Sequence, residues 1–158
     1  MCIRDSTGGE PFLQPMSELT SLVSELQGHG YSFEVFTNGT ILWPHWNAPA
    51  PDIRYIMDWK LPGSQEDHLN KNRFENLKRM SGVDAVKFVC KDEDDFKTAV
   101  GLWETYIHRK SPVQVYYGAV WGEIKEAQLV EWAQREHLDW KLNVQVHNFI
   151  FDRNERGI

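Results

Sequence analysis

Short β-rich runs alternate with segments of helical period along this chain, and that alternation constrains the fold more than any other feature. Tyr31–Thr37, Ile53–Trp59, Ala85–Cys90 and residues 113–117 read as strands, each short and rich in β-branched or aromatic residues. Over residues 15–30, Leu19, Leu22, Val23 and Leu26 repeat at helical spacing, and Gly28 and Gly30 stop the helix. Residues 67–80 read as a polar helix with Phe74 and Leu77 facing inward. Residues 93–109 carry Phe96, Val100, Trp103 and Ile107 on one stripe, and residues 126–137 turn Leu129, Val130 and Ala133 inward. An extended stretch over residues 142–151 closes the chain. Such alternation predicts an α/β fold with a parallel sheet, right-handed crossovers and strands in sequential order. The near-continuous apolar strands predict burial on both sheet faces. Between Trp43 and Pro51 lies a loop rich in Trp and Pro with no helical pattern.

Composition matters here for what it excludes. The net charge of -6, with mixed signs throughout, lacks the basic face of a nucleic-acid binder. No apolar run approaches the length of a membrane span. The two cysteines, Cys2 and Cys90, allow neither a disulfide framework nor a CxxC metal site, and this usage fits a reducing cytoplasm. Cys90 ends an apolar run and reads as a small buried hydrophobe. The histidines show no zinc-ligand spacing, so no metal ligand is assigned; no catalytic residue is assigned either. Residues 1–6, Met-Cys-Ile-Arg-Asp-Ser, are too polar for a strand leading into a glycine turn. They read as a non-native leader and are set aside.

In open parallel sheets, ligands collect at the carboxyl ends of the strands. The glycine-rich and polar segments fall there: Thr7-Gly8-Gly9-Glu10-Pro11, Thr37-Asn38-Gly39-Thr40, residues 58–64, and Tyr117-Gly118. Two glycines let a backbone approach a ligand, and the carboxylate after them can pair with an ammonium group. Each segment alone is weak. A Gly-Gly-Glu-Pro or Asn-Gly turn is most often only a turn, and Gln145 with His147, two apart on one strand face, is most often structural.

Taken in order, TGGEPFLQ, TNGT, MDWKLPGS, DAVKFV, DDFKTA and QVHNFIFDRNERGI resemble the 7-carboxy-7-deazaguanine synthase family of radical S-adenosylmethionine (SAM) enzymes, from Thr7 to Ile158. The resemblance implies a parallel-sheet partial barrel of reduced helix content. It implies reductive cleavage of SAM at a 4Fe-4S cluster, with magnesium assisting. It also implies conversion of 6-carboxy-5,6,7,8-tetrahydropterin to 7-carboxy-7-deazaguanine, with loss of ammonia, in 7-deazapurine (queuosine) biosynthesis. Carried over residue by residue, Gly8, Gly9 and Glu10 hold the SAM amino group, and Ser64 contacts SAM. Thr7, Gln145, His147 and the Ile158 carboxylate face the pterin. A homodimer is implied for the full-length protein.

The chain departs from the family at Phe36, where relatives often carry Glu, at Tyr117-Gly118 in place of Ser-Pro, and at Asn148 in place of Lys. The cluster-binding CxxxCxxC segment is missing. Residues 7–158 therefore read as the C-terminal part of one radical SAM domain, inactive alone, with the Tyr31–Thr37 strand lacking a neighbour on one side. Two other readings compete. One is a glycyl-radical-enzyme activase, against which the QxH element and the KLPGS loop speak. The other is a non-catalytic nucleotide-binding remnant.

Overall fold

The computed structural model describes residues 2–6, 9–43, 53–66, 68–107 and 113–146. Six strands form one sheet: β1 (Cys2–Ser6), β2 (Tyr31–Thr37), β3 (Ile53–Trp59), β4 (Ala85–Cys90), β5 (Gln114–Ala119) and β6 (Lys141–Leu142). They lie in sequential order, and every neighbouring pair is parallel. The α/β parallel architecture expected from the alternation is therefore present. Among the described residues four helices accompany it: α1 (Met16–Gly28), α2 (Lys71–Leu77), α3 (Glu93–Leu102) and α4 (Glu126–Arg135).

Local chemistry sets the helix boundaries. Asn70 caps α2 by accepting from the Asn72 N–H at 2.9 Å, so this helix starts later than residue 67. Asp92 caps α3 through the Asp95 N–H at 2.9 Å. Glu93, Asp94 and Asp95 then place negative charge in the first turn, where the helix dipole favours it. Past Leu102 the helix widens into a π-helical segment, Trp103–Ile107. The Lys125 N–H donates to Gln128 Oε1 at 3.1 Å at the start of α4.

Three expectations need correction. Residues 2–6, set aside as a leader, form β1, which pairs with β2 from Cys2↔Tyr31 to Ser6↔Val35. β2 therefore has neighbours on both sides. Backbone pairing needs no apolar side chains, so polarity alone was a poor ground for denying a strand. Of the stretch expected over residues 142–151, the described residues keep strand pairing only at Lys141–Leu142, and residues 147–151 lie outside the described residues. Residues 143–145 carry no regular element, and Val146 lies in a turn. Gln145 is therefore not on a strand.

The third correction is the most consequential. The sheet is not buried alike on both faces. Burial alternates along β2, β4 and β5. Val35, Met57, Trp59, Val86, Phe88, Cys90, Val115, Tyr117 and Ala119 join one core with Phe96, Ala99, Leu102, Leu129 and Ala133 from the helices. The other face carries Glu34, Arg54, Asp58, Lys87, Gln114 and Tyr116, all less buried. A count of apolar residues per strand blurs this split, because Phe36, Ile56 and Ala85 share the polar face.

Candidate functional site

Glu10 and the TNGT turn, far apart in sequence, meet at the carboxyl end of β2. Thr37 Oγ1 donates to Glu10 Oε1 at 2.6 Å, and the Asn38 N–H donates to Glu10 Oε2 at 2.8 Å. A longer contact, 3.4 Å, comes from the Phe12 N–H, because Glu10 also caps the short 3-10 turn Pro11–Leu13. Gly9, just before it, has φ +126, a conformation L side chains rarely adopt. The carboxylate is thus fixed in place by neutral donors. Its charge is oriented and not cancelled.

The turn itself is built to be rigid. Thr37 Oγ1 accepts from the Gly39 N–H at 3.1 Å, and Asn38 Oδ1 accepts from the Thr40 N–H at 2.9 Å. Gly39 has φ +71, and an added Cβ would collide with Met57 Sδ, so geometry and space both demand glycine. Helix α2 holds the turn from outside. Arg73 Nε donates to Asn38 O at 2.8 Å, and Asn72 Nδ2 donates to Thr40 O at 2.7 Å. Asn76 Nδ2 donates to Gly39 O and Ile41 O, while its Oδ1 accepts from the Trp43 N–H. Arg73 and Asn76 are both 0% exposed. Sequence reasoning missed this pair, having read α2 by its apolar residues. The available signal was Asn72, Arg73 and Asn76 on one helical face.

A cleft of about 480 Å³ opens here, lined by Gly9, Glu10, Phe36, Asp58, Lys60 and Lys87 among others. Its apolar floor is Phe36 and Ile56, directly paired on β2 and β3. Its rim is charged. Lys60 pairs with Asp58 Oδ2 at 2.9 Å, while Asp58 Oδ1 is buried without a hydrogen bond among the described residues. Glu66 lies 3.8 Å from the buried Arg73 guanidinium.

Ser64 lies in a neighbouring cleft of about 450 Å³ that shares Asp58 and Lys60 with the first. Its hydroxyl donates to Leu61 O at 2.7 Å and accepts from the Glu66 N–H at 3.2 Å, so its proton is committed to the Pro62–Ser64 turn. Asp95, 3% exposed, ties that turn to α3 by accepting from the Gly63 N–H at 2.8 Å and the Lys91 N–H at 3.2 Å. Its place in the site was not legible from sequence, where it is one of several acids. Gln145, half-buried, follows β6 on a segment that runs beside β5, where the Asn143 N–H donates to Tyr117 O at 2.7 Å. Thr7, Gly8, His147, Asn148 and Ile158 lie outside the described residues, as does most of the Trp43 to Pro51 loop.

The Cys90 thiol, fully buried, is pushed up to about 12 by desolvation, with Asp95 and Asp92 adding repulsion. It is held as a neutral thiol and offers no thiolate. Among the described residues, no group of three or more His, Cys, Asp or Glu is placed to hold a metal ion. No helix among them is long and apolar enough to cross a membrane.

Comparison with known proteins adds a second line of observation. The 7-carboxy-7-deazaguanine synthase of Clostridium acetobutylicum is 31% identical over 161 residues, covering 96% of this chain and 67% of that protein. The enzyme of the same name from Koribacter versatilis is 28% identical, covering 96% of this chain and 70% of its own. A third, from Leptospira interrogans, is 32% identical over 111 residues, 66% of this chain and 44% of that protein. No protein-family model matches the chain, and no solved structure matches it.

Proposed function

Since the chain belongs to the 7-carboxy-7-deazaguanine synthase family, we propose that its cleft is a SAM and pterin site. In that reading the whole protein converts 6-carboxy-5,6,7,8-tetrahydropterin to 7-carboxy-7-deazaguanine with loss of ammonia. The observation that carries the reading is Glu10, a carboxylate fixed by Thr37 and Asn38 at the mouth of a cleft at the strand ends. A held carboxylate with neutral hydrogen-bond partners is suited to an ammonium group. The same residues form the GGE and TNGT segments by which the sequence resembles the family.

SAM would supply the hydrogen-abstracting radical only once an electron from a cluster held outside these residues had cleaved it; what these residues supply is placement. Glu10 orients the amino group. Phe36 and Ile56 give a flat apolar floor beneath a heteroaromatic ring. The α2 side chains Arg73 and Asn76 keep the Thr37–Thr40 turn from yielding as the ligand enters. The 4Fe-4S cluster does not fit these residues. Cys2 and Cys90 are the only cysteines, and Cys90 is a buried neutral thiol, whereas such a cluster needs several thiolates. The described residues likewise offer no ready magnesium cage.

Calorimetric titration tests the reading. SAM should bind the chain, and Glu10→Ala should weaken that binding about ten- to a hundred-fold, the loss of one charge-assisted hydrogen bond. Unchanged affinity in Glu10→Ala sinks the assignment. Turnover is tested separately, by joining the chain to an N-terminal CxxxCxxC segment from a relative and assaying for the deazaguanine product.

A further inference from the structure

We infer that Lys87 is the anchor for a carboxylate of the ligand that this cleft takes. The inference rests on the reading of the cleft as a SAM and pterin site. It starts from the strand register. Thr37 pairs with Met57 and Asp58 pairs with Lys87, so Asn38, Asp58 and Lys87 lie in one row across β2, β3 and β4 at the cleft's height. Each charge in that row can be traced. Glu10 is held by neutral donors and has no cation beside it among the described residues. Asp58 and Lys60 neutralise each other. Glu66 faces the Arg73 guanidinium.

Lys87 is left over. It lines the cleft, is half-buried, and has no hydrogen bond or ion pair among the described residues. Its neighbour across the sheet, Tyr116, is committed elsewhere: the Tyr116 hydroxyl accepts from Arg54 at 3.0 Å and donates to Gln114 at 3.2 Å. Asp58, the neighbour of Lys87 on β3, engages Lys60 through Oδ2, and among the described residues its Oδ1 makes no hydrogen bond, so it does not hold Lys87. The cleft therefore presents a free anion at the Glu10 end and a free cation at the Lys87 end, with Phe36 and Ile56 between. Two strand spacings, about 10 Å, separate the two ends. A ligand with an apolar planar body, an amino group and a carboxylate complements that pattern. A carboxypterin carries its amino group and carboxylate across a fused ring, whereas SAM carries both on one carbon and so reaches Lys87 only with its base outside the two charges. The carboxylate is the shared chemistry, and the titrations name the source.

The test uses the full chain, Lys87→Met and Lys87→Arg in equilibrium titrations against two ligand pairs. One pair is SAM and decarboxylated SAM; the other is 6-carboxypterin and pterin. The expected result is that the chain prefers the carboxylated member of one pair by about ten-fold. Lys87→Met should erase that preference, Lys87→Arg should keep part of it, and the affected pair names the source. If Lys87→Met retains the preference, the inference is overturned while the cleft reading stands. The same holds if the chain binds both members of each pair equally. If the chain binds none of the four, the cleft reading falls and takes this inference with it. Circular dichroism accompanies each variant, and Lys87→Gln replaces Lys87→Met should the latter not fold.

Discussion

The two faces of the sheet are made from the same strands and do opposite work. On one, Met57, Trp59, Val86, Phe88 and Cys90 press against Phe96, Ala99, Leu102 and Leu129 of the helices, with almost no exposure. On the other, Glu34 pairs with Arg54 at 2.7 Å, Arg54 reaches Tyr116, and Gln114 accepts from Tyr116 and from Lys141. Above that network the same face opens into the cleft of Glu10, Asp58, Lys60 and Lys87. The covered face holds the fold together by removing apolar surface from water. The polar face contributes less, because its groups keep part of their hydration and trade water contacts for one another. A chain that concentrates stability on one side is free to spend the other on charge.

The contrast can be broken by mutation, and the largest effect belongs on the covered face. Phe88, 0% exposed, contacts Trp59 and Trp140. Phe88→Ala should cost about 3–5 kcal/mol in urea denaturation, through lost burial and a cavity. A loss under 1 kcal/mol would mean that this side is not the core. Next comes the polar tie that links the helix layer to the cleft. Asn76→Leu leaves the Gly39 and Ile41 carbonyls and the Trp43 N–H without their partner, at a cost of about 2–3 kcal/mol. Hydrogen exchange should then speed up at Gly39 and Thr40 more than in β4.

The polar face should respond less. Arg54→Met removes the contacts to Glu34, Tyr116 and the Val83 carbonyl, yet these groups are partly exposed. About 1 kcal/mol is expected; a loss as large as that of Phe88→Ala would erase the distinction between the faces. The smallest effect is a dependence on pH at the outer surface of the helices. Arg135, 2.7 Å from Glu93, holds the Glu93 carboxyl below the usual carboxylate range. A lowered carboxyl stabilises the fold above its unfolded pKa, and that contribution fades as pH falls through the folded value. Melting temperature followed from neutral to acid pH should therefore fall slightly less steeply in Arg135→Ala than in the parent chain.

How much of this was legible depends on the distance over which each feature acts. β2, β3 and β4 begin and end where the alternation of residue types places them, because strand propensity and turn residues are local. The helices were placed but trimmed, since their ends depend on caps such as Asn70 and Asp92. β1 escaped notice because its pairing with β2 is a backbone interaction that polar side chains do not forbid. Arg73 and Asn76 escaped because polar residues on a helix read as solvent-facing until a loop 35 residues away supplies the carbonyls they bond.

By itself the sequence determined the class of fold, the sequential order of strands, the family, and the choice of Glu10 as a residue to watch. Those follow from periodicity and from an ordered set of short segments, which survive without knowledge of what touches what. Tertiary structure alone decided that Glu10 is held by Thr37 and Asn38, and that one face of the sheet is charged. It alone left Lys87 without a counter-ion among the described residues. The physical reason is that a charge's role depends on which opposite charge lies within a few ångströms, and parallel register brings together residues that the chain keeps apart.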